Sequence, residues 1–164
     1  MGVTCCLAPV DGDRINELLA DPEYVSEFLE GLEEEEKVMD LDKSWHGIHF
    51  LLTGSAEEGE EPLCYLVKGG EEIDYGDTDF GPPRALKPSQ IADWANALSA
   101  ISSDDLRKRY DAKAMMEAEI YPTIWDRVTE EDDYPGYLIE NYEWLRSFVE
   151  QMKNENKGAI IYFM

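Results

Sequence analysis

The chain is poor in cysteine, histidine and positive charge, and each shortage excludes a class of protein. Its three cysteines are an adjacent pair, Cys5 and Cys6, and a lone Cys64. An odd count without metal-ligand spacing argues against a disulfide framework. No run approaches the ~20 apolar residues needed to cross a bilayer. The first residues also lack the basic-then-apolar order of a secretory leader, so the chain reads as cytoplasmic. Only 14 Lys and Arg face 37 Asp and Glu, giving a formal net charge of -23. Such a surface repels nucleic acid and anionic membrane. It draws in a protein partner with a basic face, less strongly as salt rises, and it also favours solubility.

What is present suffices for a folded domain. Hydrophobic residues make up 43% and aromatics 11% of 164 residues, enough for one core and one domain spanning 1–164. The opening "MGVTCC" starts like a myristoylation signal, but Cys6 stands where that pattern asks for Ser or Thr. Val3, Cys5 and Leu7 alternate with Thr4, Cys6 and Ala8, which predicts a strand. Asp13 is placed to cap a helix whose Ile15, Leu18 and Leu19 face inward, ending at Asp21 and Pro22. A second helix over "EYVSEFLEGL" turns Tyr24, Val25, Phe28, Leu29 and Leu32 inward. It fades into Glu33 to Glu36, a solvated acidic run.

The segment "DLDKSWHGIHFLLTG", residues 40–54, holds both histidines. Asp42 suits an N-cap and Gly54 a C-terminal stop, predicting a helix from about Lys43 to Thr53. Leu41, Trp45, Ile48 and Leu52 form its core stripe, with His49 on that stripe's edge and His46 in the next row. Two histidines three residues apart supply two ligands, and zinc needs three or four, so no metal site is expected. The imidazoles are expected to pack as hydrogen-bonded scaffold.

After Gly54 comes the loop "SAEEGEEP", then "LCYLV", a strand or a short lid helix, then a long segment without periodicity from Gly69 to Pro88. Its Asp74, Asp77 and Asp79 do not fit the calcium-loop template, and Gly69 and Gly70 lack the Lys and Ser/Thr of a phosphate cradle. Arg84, held between prolines, is expected to pin the loop to an acidic surface, or else to grip an anion. Pro88 opens a helix carrying Ile91, Trp94, Leu98 and Ile101 inward. Ser102 or Ser103, and then Asp111, cap two more. Arg107, Lys108, Arg109 and Lys113 form a basic cluster that neutralises its neighbours. Leu138, Tyr142, Leu145, Val149 and Met152, widened by Trp144 and Phe148, mark a long amphipathic helix. "AIIYFM" then reads as a strand that pairs with the first one, under a cover of helices.

"LDKSWHGIHFLLTG" and "EIYPTIWDRV", with the "MG" strand, "GPPRALKPSQIA", "YEWLRSFV" and "GAIIYF", resemble the YfbM-like family of bacterial proteins of unknown function over nearly the whole chain. The most specific residues are Asp42, Lys43, Trp45, His49, Thr53 and Gly54, then Arg84 and Pro88, then Tyr121, Pro122 and Trp125. The "EEGEE" loop and the Glu33 to Glu36 run are departures. The resemblance implies a single α+β domain, mostly helical, with a small sheet that includes paired N- and C-terminal strands. It also implies a bacterial cytoplasmic origin, and it implies no reaction. Two functional readings follow. The first is a noncatalytic acidic module for a basic protein partner, of inhibitor or immunity type, with no cofactor. The alternative is a small enzyme or small-molecule binder whose pocket gathers Lys43, His46, His49, Arg84, Glu119, Tyr121 and Trp125 for acid/base chemistry.

Overall fold

Residues at the two ends of the chain build the middle of the sheet. The computed structural model describes residues 2–76, 78–127 and 129–164. Strand β1 (Cys5–Val10) pairs antiparallel with β5 (Gly158–Phe163) over its full length, from Cys5 opposite Phe163 to Val10 opposite Gly158. Two short strands extend the sheet beyond β5, β4 (Arg84–Leu86) and then β3 (Glu71–Glu72), while β2 (Met39–Asp40) flanks β1 on the other side. All pairings are antiparallel, in the order β2-β1-β5-β4-β3.

Both faces of β1 and β5 are covered, which is why "CCLAPV" and "GAIIYF" are apolar throughout instead of alternating. On one face Cys6, Ala8, Val10, Ala85, Ile160 and Tyr162 meet α1 (Gly12–Ala20) and α2 (Val25–Glu34) through Ile15, Leu18, Val25 and Leu29. On the other, Cys5, Leu7, Leu86, Ala159 and Ile161 meet the larger helical layer. That layer comprises α3 (Trp45–Thr53), α4 (Pro88–Ser99), α5 (Ser103–Lys108), α6 (Ala112–Glu117) and the long α7 (Tyr134–Asn154). Helix α7 presents Leu138, Tyr142, Leu145, Val149 and Met152 to the core, and α4 presents Ile91, Trp94 and Leu98. The Tyr142 hydroxyl donates to Ile101 O at 2.7 Å or to Leu98 O at 3.2 Å, tying α7 to the end of α4. The α+β architecture, mostly helical with paired terminal strands, is the one expected.

Several local expectations need correction. Asp11, not Asp13, occupies the N-cap of α1, and Asp13 lies inside its first turn. Tyr24 ends a 3-10 turn, Pro22–Tyr24, whose tighter winding rotates the ring out of the α2 stripe and leaves it more than half exposed. Trp144 is also more than half exposed, because about 100° of rotation separates it from the inward Leu145. Asp42 does not cap α3. A 3-10 turn, Asp42–Ser44, precedes the helix, and the Asp42 carboxylate accepts instead from the Tyr137 hydroxyl at 2.5 Å. "LCYLV" forms neither strand nor lid but a series of tight turns that buries Cys64, Tyr65 and Leu66. Arg84 stands in a strand rather than a loop. The other caps follow expectation. Gly54 ends α3 at φ 76°, Ser102 Oγ accepts from Asp105 N, and Asp111 Oδ1 accepts from Ala114 N.

Candidate functional site

Two of the seven candidate residues, His46 and Tyr121, meet around Trp45 at the start of β1. Trp45 and His46 open α3, and their rings stack at 5.0 Å and 13°. Tyr121 also stacks on Trp45, at 5.8 Å, and Phe163 meets the indole edge-on at 4.8 Å. The polar tips of this cluster hold backbone. Trp45 Nε1 donates to Val3 O at 2.9 Å, and Val3 N donates to the Tyr121 hydroxyl at 2.8 Å, so both backbone groups of Val3 are fixed by aromatic side chains.

His46 is engaged at both nitrogens. Its Nδ1 accepts the Tyr121 backbone N–H at 2.8 Å. That bond requires a bare Nδ1, which places the proton on Nε2, where it reaches Ala56 O at 2.9 Å. The ring is therefore neutral, and burial lowers its pKa further from the ordinary 6.5. Adding a proton would set Nδ1–H against the Tyr121 N–H. One imidazole thus ties α3 to two distant backbone segments.

His49 lies deeper and is fully buried. Its Nε2 sits 3.3 Å from the Thr53 hydroxyl, which also reaches His49 O at 2.9 Å and Ser55 O at 3.3 Å, leaving Nδ1 as the other ring nitrogen. That Nδ1 has no hydrogen-bond partner among the described residues. Burial pushes the His49 pKa down to about 4. Arg84, on the same sheet face as Leu7 and Ile161, is also buried. It donates to Gly69 O at 2.9 Å and Leu66 O at 3.0 Å. It does pin its neighbouring segment, but through two carbonyls of the buried turn, not through acids on a surface. Burial lowers its pKa from the usual arginine value. Trp125 is buried as well, with Nε1 donating to Ile120 O at 2.8 Å.

Lys43 and Glu119 stand apart from these. Gly2 is wedged against Lys43 and Tyr121, where a Cβ would overlap Lys43 Cε and lie 2.6 Å from the tyrosine oxygen. The Lys43 side chain lines an open cleft of about 360 Å³ with Asp42, Tyr134 and Tyr137, and it makes no ion pair among the described residues. Glu119 is exposed, at φ 55° in the turn after α6, and no hydrogen bond among the described residues joins it to either imidazole. The seven candidates therefore occupy a half-buried aromatic knot, a buried interior and an open cleft. They do not converge on one cavity.

The remaining charged features are local. Arg107 approaches Asp133 at 3.9 Å and Lys113 approaches Glu117 at 3.9 Å, while Arg109 donates to Leu51 O near the end of α3. Among the described residues no group of three His, Cys, Asp or Glu side chains is placed to hold a metal ion. Asp77, one of the three aspartates weighed for calcium, lies outside the described residues. Among the described residues no helix is long and apolar enough to cross a membrane.

Sequence reasoning missed one exposed group: Tyr75, Phe80 and Met164 share a groove of about 420 Å³ beside α2. Tyr75 and Phe80 fall in the segment without periodicity, and only the closeness of two aromatics to several glycines hinted at exposure.

Comparison with known proteins gives a consistent picture. A family model described as a domain of unknown function, DUF1877, matches residues 1–162. Protein YfbM of Escherichia coli strain K12 is 30% identical over 169 residues, covering 98% of this chain and 97% of that protein. The crystal structure of YfbM, a protein of unknown function from Escherichia coli, superposes with a TM-score of 0.75 at 25% identity, covering 98% of this chain and 99% of that one. Shared length, shared sequence and shared architecture agree, and the chain belongs to the YfbM-like DUF1877 family.

Proposed function

We propose that this chain is a noncatalytic interaction module, acting in the bacterial cytoplasm, that holds a protein partner through that partner's basic face. The observation that carries the reading is where the reactive side chains end up. His46 has both ring nitrogens engaged by backbone, His49 is fully buried and neutral, and Arg84 is bonded to interior carbonyls. Acid/base work needs an imidazole nitrogen within reach of a substrate proton, and neither ring offers one to a cleft. The chain as a whole, by contrast, carries 37 acids against 14 bases, and no Asp or Glu among the described residues is buried.

Charge complementarity of this kind accelerates encounter and selects partners by sign. It also weakens with ionic strength, because the screening length falls from about 30 Å at 0.01 M to about 3 Å at 1 M salt. The test is affinity capture on the immobilised protein at about 0.05 M and about 1 M salt. Recovery of a basic protein at low salt and its loss at high salt support the reading. Capture that is indifferent to salt contradicts it.

A further inference from the structure

The surface clefts differ in sign, and that difference locates a docking site. Five clefts stand out among those that the described residues form. Four have at least one Lys or Arg in their walls: Arg146, Arg14, Lys43, or Arg14 together with Lys37 and Lys157. The fifth, between α2 and the segment leading into β4, has none. Its acids are Glu30, Glu33 and Asp79. It also gathers three of the five large hydrophobic side chains exposed among the described residues: Tyr75 at 38%, Phe80 at 46% and Met164 at 51%.

We propose that this groove docks a segment of a basic partner protein in which an aliphatic or aromatic side chain is flanked by lysine or arginine. The inference rests on the basic-partner reading and names the place where that partner is held. Apolar side chains clustered in a concave, polar-rimmed patch are the usual anchor points of an interface. Part of the groove is fixed before any partner arrives. The Tyr162 hydroxyl donates to Glu33 at 2.6 Å, which orients one rim carboxylate. The backbone of Met164 exchanges hydrogen bonds with Thr4, 2.9 Å in one direction and 3.0 Å in the other, so its adaptable thioether side chain projects from a held position.

Charge decides the occupant. A second copy of this chain carries the same -23 and is repelled. Nucleic acid and anionic lipid present the same sign as the rim. A cationic segment gains attraction from three carboxylates without meeting a competing base, and the apolar anchor gains burial between Tyr75, Phe80 and Met164.

The probe is a fluorescently labelled peptide of alternating lysine and leucine, with a glutamate and leucine counterpart, read by anisotropy at about 0.05 M salt. Three variants are compared with the parent: Phe80→Ser, the charge reversal Glu30→Lys with Asp79→Lys, and Trp144→Ser as an exposed aromatic away from the groove. All four substituted side chains are at the surface, and equal melting temperatures confirm folding. The expected result is binding of the lysine peptide alone. Its affinity should drop about tenfold or more in the first two variants, equivalent to about 1.4 kcal/mol, and stay within about twofold in Trp144→Ser. Lysine-peptide binding that is equal in all variants overturns the groove while leaving a diffuse acidic interaction surface intact. Absence of binding by every form overturns the groove and counts against the basic-partner reading as well. Binding of the glutamate peptide removes the charge argument and overturns the proposal.

Discussion

The aromatic knot at the start of β1 and the groove beside α2 use similar side chains to opposite ends. In the knot, His46 and Tyr121 each stack on Trp45, and the polar atoms of the three meet Val3, Ala56 and the Tyr121 amide. In the groove, Tyr75, Phe80 and Met164 stand open above a rim of carboxylates. Residue type therefore says little about role in this protein. What separates scaffold from interaction surface is whether the fold itself supplies partners for the polar tip and cover for the apolar body.

The comparison is broken first at its interior end. Trp125→Ala empties a buried site packed edge-on against Tyr110 and Tyr134 and removes the bond to Ile120 O. A loss of about 3–5 kcal/mol in urea-unfolding free energy is expected. A loss under about 1 kcal/mol would show that the interior relaxes around the gap.

His49→Ala should cost about 2 kcal/mol at neutral pH, with a pH signature that separates scaffold from site. In the unfolded chain the imidazole takes a proton near pH 6.5, but in the fold only near 4. The neutral ring's contribution is therefore fully present above pH 6.5 and is lost as pH falls toward 4. The stability gap between parent and variant should fall by about 1.4 kcal/mol per pH unit across that window, closing at about pH 5 and reversing in sign below it, because the variant lacks the titration. Acidic residues common to both proteins cancel in the difference. A gap that stays constant from pH 6.5 to 4 would refute the buried neutral ring.

The smallest effect lies at the other end of the comparison. Phe80→Ser and Trp144→Ser should each change stability by no more than about 0.5 kcal/mol, since neither ring is enclosed. A larger loss for Phe80→Ser would move its ring from docking surface to scaffold.

Much of the fold was legible because burial leaves a period in the sequence. The stripes of α4 and α7 and the doubly apolar terminal strands gave their positions and their pairing. The knot was half legible: "SWHGIH" and "YPTIW" advertised aromatics with polar tips, but not that 75 residues of chain separate His46 from the amide it accepts. Arg84 was misplaced because a three-residue strand between prolines and glycines carries no alternation long enough to read.

Composition and local pattern alone determined the net charge, the helical stripes, the cap at Asp111 and one at Ser102 or Ser103, the left-handed stop at Gly54 and the strand character of both ends. These depend on neighbours within a turn or on sums over the chain, so no long-range contact is needed to know them. Only the tertiary structure decided which polar side chains face inward, that both nitrogens of His46 are occupied, and that three exposed apolar groups share one acidic groove. Those outcomes depend on residues far apart in sequence meeting in space, and a hydrogen-bond partner or a missing neighbour is a property of that meeting.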